Sequence, residues 1–101
     1  MANLSREEAK RILSNAAPGK AFWVNNGPVL KSIIELATAA QKLAPQQFMH
    51  HVNSAKNDFA KWVDEVIRDS ELAKRLTHVK TKDELAHVVK NRLRQLQKLL
   101  R

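Results

Sequence analysis

The chain of 101 residues has the length of one domain, and its 44% hydrophobic and 28% charged residues are typical of a folded globular protein. The absence of cysteine excludes disulfides, thiolate nucleophiles and cysteine-ligated metals, and is typical of a protein in a reducing cytoplasm. With 18 lysines and arginines against 10 acidic residues, the formal net charge is +8, which favours binding to a polyanion.

The N-terminal segment carries a helix signal rather than a targeting signal. Ser5 and Glu8 have capping-box spacing, which predicts a helix to about Asn15. Its inward residues are Ala9, Ile12 and Leu13. The charges in this segment leave no room for the apolar stretch of a secretory signal. No apolar run approaches the roughly 20 residues of a membrane span. We therefore expect a cytoplasmic protein without a membrane span.

Residues 21–31, AFWVNNGPVLK, allow two interpretations. Phe22, Trp23 and Val24 favour a strand, and Asn26-Gly27 is a typical hairpin turn. Alternatively, a helix begins at Pro28, because proline favours the first helical position. A second capping box, Ser32 to Glu35, favours an extended segment followed by a helix from Ile33. We expect a small hairpin here.

The segments between Ile33 and Leu76 have the pattern of successive helices. The first is predicted to run to about Leu43, after which Pro45 opens the next segment. The clearest amphipathic pattern begins at Asn57 or Asp58. Its apolar face consists of Phe59, Trp62, Val63, Val66 and Ile67. The cap-like residues Asp69 and Ser70 then start a short helix that holds Leu72, Ala73 and Leu76.

A third capping box, Thr81 to Glu84, starts the last helix, over about residues 82–101. Its inward residues are Leu85, Val89, Leu93, Leu96 and Leu100. The expected fold is mainly α, a compact bundle of about five helices in a single domain, residues 1–101. The segment near residues 21–31 is the place for one short β-hairpin.

The last twelve residues, KNRLRQLQKLLR, contain five basic residues and no acidic residue. On a helix, Lys90, Arg94, Lys98 and Arg101 form one stripe on the face away from the leucines. This basic stripe fits the phosphates of a nucleic acid, an anionic membrane surface or an acidic partner protein. A purely structural role is the alternative, because cations near a helix C-terminus also oppose the helix dipole.

A second basic group surrounds the connection between the last two helices. It consists of Lys74, Arg75, Lys80 and Lys82. If this connection lies beside the terminal helix, the second group and the basic stripe form one nucleic-acid-binding surface.

The residue types that build catalytic and metal sites lack the necessary spacing. The histidines are His50, His51, His78 and His87, and none belongs to a zinc-binding motif. Capping and solubility explain the carboxylates Asp58, Asp64, Glu65, Asp69 and Glu71. The sequence also has no glycine-rich phosphate loop and no motif that marks a nucleophile. We expect no enzymatic activity, no metal and no cofactor.

One long stretch resembles an uncharacterised, mainly archaeal domain family of unknown function. Its signature is H-V-N-x-x-K-N-D-F-x-x-W, from His51 to Trp62. Earlier residues match the opening of the family pattern: Phe22-Trp23, Gly27, Ser32 and Glu35-Leu36. The resemblance covers roughly residues 20–90. It implies a hairpin followed by helices in an archaeal or bacterial cytoplasm, and it supplies no activity.

The resemblance also implies that four residues of the signature region act together. These are His51, Asn57, Asp58 and Trp62. A buried polar network that fixes the turn before the helix is one interpretation, and a polar ligand site beside Trp62 is the other. The family pattern often has glycine before the aspartate at position 69, where this chain has Arg68.

We expect a small basic protein that binds nucleic acid, DNA rather than RNA, with little sequence specificity. An architectural or chromatin-like factor that contacts phosphates through lysine and arginine fits this description. The alternative is a protein-interaction module, a homo-oligomer such as a dimer, that uses the leucine-rich terminal helix. An exposed face of Leu93, Leu96 and Leu100 would favour the alternative, and a continuous positive surface would favour nucleic acid.

Overall fold

The computed structural model describes residues 4–101, which form six α-helices, one π-helical turn and a two-stranded antiparallel sheet. The elements in chain order are α1 (Arg6–Leu13), β1 (Phe22–Trp23), β2 (Val29–Leu30), α2 (Ile33–Ala40), α3 (Pro45–His51), α4 (Asp58–Trp62), the π-helical turn (Val63–Ile67), α5 (Ser70–Leu76) and α6 (Lys82–Lys98). The expected helical bundle with one hairpin is therefore confirmed.

Four of the helices in the described residues, α1, α2, α5 and α6, begin at predicted capping residues. The hydroxyls of Ser5, Ser32 and Thr81 each accept the backbone N–H three residues later. At α4 the cap is Asn57, whose Oδ1 accepts the N–H of Ala60 at 2.9 Å. The cap role that we assigned to Asp58 is therefore wrong, and Asp58 is the first residue of the helix.

The segment after α1 forms a hairpin, so no helix begins at Pro28. Phe22 pairs with Leu30 and Trp23 pairs with Val29. The turn between the strands uses Asn26 in the left-handed region, with φ of 53°. Asparagine tolerates this conformation better than most residues. Pro28 immediately precedes β2, and its carbonyl accepts the N–H of Val24 at 3.1 Å. Proline has no N–H to return to Val24, and the carbonyl of Val24 accepts the N–H of Gly27 at 3.0 Å instead.

The core lies where the hairpin, α2 and α4 to α6 meet. Phe59 is completely buried, and its ring stacks on Phe22 with centroids 4.7 Å apart. The buried side chains on the helices around it include Ile33, Leu36, Val63, Leu72, Leu76, Leu85 and Val89. The long helix α6 packs mainly against α2 and also contacts α1 and α5. These contacts fix the polar face of α6 relative to the rest of the domain.

The amphipathic run that begins at Asp58 changes from α-helix to a π-helical turn after Trp62. The wider turn keeps Val63 and Ile67 buried, and Val66 is partly buried. The turn ends at Arg68, which has left-handed backbone angles, φ 64° and ψ 43°. Glycine adopts this conformation without the steric cost that a side chain imposes. The backbone geometry thus explains why glycine would suit position 68.

Candidate nucleic-acid interface

The buried face of helix α6 packs against the domain and contains one charged residue among apolar residues. Leu85, Val89 and Leu96 are buried on this face, and Arg92 is only 5% exposed. Arg92 is one of the five basic residues near the C-terminus, so only four of the five cations face the surface. We did not predict this burial from the sequence, although position 92 lies on the same helix face as Val89 and Leu96.

Asp69 neutralises the buried guanidinium. Arg92 Nε donates to Asp69 Oδ2 at 2.8 Å and Nη2 donates to Oδ1 at 2.9 Å. The same Oδ1 accepts the N–H of Leu72 and so caps α5. A bidentate pair of this kind fixes orientation as well as charge. It therefore joins the start of α5 to the middle of α6.

The basic stripe lies on the opposite, polar face of α6. Arg94, Lys98 and Arg101 are exposed and Lys90 is partly buried. Within residues 4–101, no carboxylate forms an ion pair with any of these four side chains. Arg101 follows the last turn, where its backbone carbonyl accepts a hydrogen bond from Arg6 at 3.3 Å. The four cations are therefore available to an external anion.

The second basic group is divided between the two ends of α6. Arg75 lies near the C-terminal half of α6, because its Nη1 donates to Gln95 at 3.1 Å. Lys80 and Lys82 lie at the beginning of the helix. At 1.5 Å per residue, Lys82 is about 24 Å from Lys98 along the axis. Lys74 is exposed on α5.

An open groove of about 730 Å³ borders the C-terminal half of α6. Its walls come from α1, the start of α5 and α6, and they include the cations Arg11, Arg68, Arg75, Arg92 and Lys98. Most of these are already engaged. Arg11 donates to the carbonyls of Ile67 and Arg68, both at 3.0 Å. Arg75 pairs with Glu71 at 3.0 Å.

The leucines of α6 join the helix to its own domain. Leu96 is completely buried, and Leu93 and Leu100 pack partly buried against the core. The apolar face that a leucine-mediated partner would need is therefore largely covered by the chain itself.

His51 and Asp58 form the centre of the polar network. The ring Nε2 of His51 accepts the N–H of Asn25 at 3.0 Å. The proton must therefore be on Nδ1, which donates to Asp58 Oδ2 at 2.9 Å. Lys56 Nζ also donates to Asp58 Oδ2, at 3.0 Å. Burial alone would raise the pKa of Asp58, but the hydrogen bonds from His51 and Lys56 and the Lys56 charge hold it below its ordinary value.

Asn57 and Trp62 lie in the same region but bond elsewhere. Asn57 Nδ2 donates to the carbonyl of Leu76 at 2.7 Å, which ties α4 to the end of α5. Trp62 Nε1 donates to the carbonyl of Lys20 at 2.8 Å. The rings of His51 and Trp62 both contact Phe22 edge-on. His51, Asn57 and Trp62 therefore connect segments that are distant in sequence, whereas Asp58 bonds to the nearby His51 and Lys56.

A cleft of about 320 Å³ lies beside this network. It is lined by Val52, Asn53, Ser54, Lys56, Asn57, Thr77, Val79 and Lys80. Neither His51 nor Trp62 is among its lining residues. Both imidazole nitrogens of His51 already have protein partners.

Two further properties concern metals and membranes. Among the described residues, no three histidine or acidic side chains are grouped as a metal site requires. None of the helices in residues 4–101 has both the length and the apolar character needed to cross a membrane.

The comparison with known families supports the expectation of an uncharacterised domain family. The model of a family of unknown function (DUF5752) matches residues 41–100, more than half of the chain. The chain belongs to the DUF5752 family. No curated protein and no solved structure matches it.

The DUF5752 match differs in extent from the resemblance expected over roughly residues 20–90. It begins after α2, so it leaves out the hairpin, and it continues through α6. Lys90, Arg94 and Lys98 therefore lie within the DUF5752 domain.

Proposed function

We propose that this DUF5752 protein binds nucleic acid through the basic stripe on α6, with duplex DNA as the main ligand and little sequence preference. The supporting observation is that Lys90, Arg94 and Lys98 occupy the polar face of a well-anchored helix, and that the exposed Arg101 lies just beyond its end. None of the four has a carboxylate partner in residues 4–101. Lysine and arginine contacts to phosphates provide affinity without reading the base sequence.

The stripe is long enough to contact several phosphates of a duplex. From Lys90 to Lys98 the helix advances about 12 Å, and a duplex presents about seven phosphates over that length. Asp83 and Glu84 lie at the other end of α6. Residues 85–101 contain no acidic residue, so the positive potential is concentrated in the C-terminal part of the helix.

A binding role fits this chain better than catalysis. The polar groups of His51 and Asp58 are occupied by backbone and side-chain partners. The interaction-module alternative lacks the exposed leucine face that it requires. Nucleic-acid binding uses the cations of the basic stripe, which have no carboxylate partner in residues 4–101.

We further propose that the protein acts in the cytoplasm of an archaeon or a bacterium. The absence of cysteine supports a reducing compartment. The similarity of the His51–Trp62 signature to a mainly archaeal pattern supports this setting.

A salt titration tests the nucleic-acid proposal. We expect the affinity for random-sequence duplex DNA to fall with salt, with a log–log slope of about −0.9 for each phosphate neutralised. Replacing Lys90, Arg94 and Lys98 with glutamine removes three contacts and is expected to make the slope shallower by about 2.7. RNA duplexes of the same length would show whether DNA is preferred.

The matched control replaces Lys10, Lys42 and Lys61 with glutamine. These three lysines are exposed and lie outside α6. Either triple variant lowers the net charge from +8 to +5, since 8 − 3 = 5. The proposal requires that the salt dependence of duplex binding become much shallower only in the Lys90, Arg94 and Lys98 variant. Equal effects of the two variants would mean that net charge alone drives binding, and absent binding at low salt would reject the proposal.

A further inference from the structure

The two faces of the hairpin differ sharply in their exposure to solvent. Phe22 and Leu30 are buried, whereas Trp23 between Phe22 and Val24 is 74% exposed. Alternation along the strand directs Phe22 and Val24 inward and Trp23 outward. The other tryptophan, Trp62, is only 7% exposed and its N–H is bonded to Lys20. Trp23 is the most exposed large hydrophobic residue in the described part of the chain.

The ribbon that carries Trp23 is firmly attached to α3. Gln47 Nε2 donates to the carbonyls of Asn25 and Asn26, at 3.1 and 3.2 Å. His51 accepts the N–H of Asn25 from the same helix. The turn packs so closely that a Cβ on Gly27 would lie 2.8 Å from Val24 Cγ1. Because the ribbon is already ordered, a ligand on Trp23 would lose little affinity to loop ordering.

The charged side chains in the segment of the chain that contains Trp23 are all positive. Residues 9–34 contain Lys10, Arg11, Lys20 and Lys31 and no acidic residue. Lys20 precedes β1 and Lys31 follows β2, and both side chains are exposed. The next acidic residue, Glu35, accepts the backbone N–H of Lys31 at 2.6 Å.

We propose that Trp23 is a stacking platform for an unpaired base of single-stranded nucleic acid, with Lys20 and Lys31 facing the adjacent phosphates. The inference rests on the proposed function, since the ligand is again a nucleic acid, but it adds a second surface with a different specificity. Stacking on an aromatic ring accepts any base, and lysines match the backbone charge. Bases inside a duplex are already stacked on one another and are not available to Trp23.

The immediate neighbours of Trp23 favour this ligand over a protein partner. A protein interface has an apolar centre of several side chains. On this ribbon, Trp23 pairs with Val29, which is partly buried. Asn25 and Asn26 follow Trp23 in the turn, and Lys31 follows β2. One exposed aromatic ring close to amides and lysines matches a base and its phosphates.

Tryptophan fluorescence provides a direct test. The chain has two tryptophans, and the buried Trp62 serves as an internal reference. Titration with a single strand of about 16 thymidines is expected to quench the Trp23 emission. A duplex of the same length is expected to bind the stripe with little quenching. Trp23→Ala is expected to weaken single-strand binding by about 5- to 150-fold, as the loss of one stacked base predicts. Its duplex affinity is expected to change little.

Three variants separate the two proposals. Trp23→Phe keeps an aromatic ring and is expected to retain most of the single-strand affinity, whereas Met49→Ala removes another exposed apolar side chain and is expected to retain all of it. The glutamine triple variant of Lys90, Arg94 and Lys98 is expected to lose duplex binding while oligothymidine still quenches Trp23. If oligothymidine quenches Trp23 in the wild type but the wild type does not bind a duplex, the duplex proposal fails and the Trp23 proposal stands.

The Trp23 proposal is overturned by either of two results with oligothymidine. One is an unchanged Trp23 emission on binding, and the other is an unchanged affinity of Trp23→Ala. It is also overturned if the wild type does not bind oligothymidine, or if Trp23 is quenched by protein concentration alone. The last result would identify the ribbon as a self-association surface.

Discussion

Arg92 and Asp69 form a bidentate ion pair inside the contact between α5 and α6, with bonds of 2.8 and 2.9 Å. Both side chains are almost completely buried. Asp69 also caps α5 through the N–H of Leu72. The pair therefore links the start of α5 to the middle of α6, in addition to the packing of α6 against α2.

We expect Arg92→Met to lower the free energy of unfolding by about 3–5 kcal/mol, because it leaves the carboxylate of Asp69 buried without its cation. Urea denaturation followed by circular dichroism measures the change. Arg92→Lys keeps the charge but loses the planar, bidentate geometry, so we expect a smaller loss in the free energy of unfolding. This variant can still be measured if Arg92→Met does not fold.

The double variant Asp69→Ser/Arg92→Met tests whether the loss comes from the unpaired charge. Serine retains an N-cap oxygen for α5, and the buried charges are both removed. We expect the double variant to be more stable than Arg92→Met alone. A double variant as unstable as the sum of its two single variants would show that the residues act independently.

Arg68 has left-handed backbone angles at the end of the π-helical turn. Arg68→Gly is expected to raise the free energy of unfolding by up to about 1 kcal/mol, since glycine avoids the contact between Cβ and the backbone. The hydrogen bond from Arg11 to position 68 uses the backbone carbonyl and survives the substitution. Lys74→Gly, within α5, is the control and is expected to lower the stability by about 1 kcal/mol. A loss of stability in Arg68→Gly would contradict the backbone explanation.

The sequence predicted the elements whose signals are local. Ser5, Ser32 and Thr81 were correctly assigned as caps because a cap and its recipient N–H are three residues apart. The hairpin was predicted from Asn26-Gly27, and the buried face of α4 was predicted from its helical spacing. In each case, the sequence signal lies within one or two turns of the chain.

The features that the sequence did not predict depend on contacts between distant elements. Asp69 has a capping position, but its second role requires Arg92 from another helix, 23 residues away. The second basic group was considered as one cluster, yet Arg75 approaches Gln95 while Lys82 starts α6. Local spacing does not identify the distant partner in either arrangement. An arginine on an otherwise apolar helix face was the available signal for a buried ion pair.

Asp58 makes the stability depend on pH. Burial alone would raise its pKa, but hydrogen bonds from His51 and Lys56 hold the folded-state pKa below its ordinary value. The unfolded chain binds the proton more tightly, so the stabilisation is complete above the unfolded pKa of about 3.9. It is lost as the pH falls through the lower, folded pKa. We expect the stability advantage of the wild type over Asp58→Asn to be constant near neutral pH and to shrink below about pH 4.

Urea denaturation at a series of pH values measures this dependence. In a Lys56→Gln background, the stability difference caused by Asp58→Asn is expected to be smaller, because one of the two donors to the carboxylate is missing. If the stability advantage of the wild type over Asp58→Asn grows as the pH falls, this prediction is contradicted. Such a result would mean that folding raises the pKa of Asp58.

The two ends of α6 allow a test of how a duplex lies on the domain. Arg94→Gln/Lys98→Gln is expected to make the salt dependence of duplex binding shallower by about 1.8, for two lost phosphate contacts. Lys80→Gln/Lys82→Gln removes the same charge from a site about 24 Å away along the helix. This separation exceeds the Debye length of about 10 Å at 0.1 M salt, so the second pair contributes only if DNA contacts it directly.

We expect Lys80→Gln/Lys82→Gln to leave the slope nearly unchanged. Asp83 and Glu84 adjoin Lys82 and repel phosphates, whereas residues 85–101 contain no acidic residue. The duplex would then cross α6 near its C-terminal end instead of following the helix. If the salt dependence of duplex binding becomes equally shallower in the two double variants, DNA lies along α6 instead. A duplex segment of about ten base pairs spans roughly 34 Å, which is long enough to reach both ends of the helix.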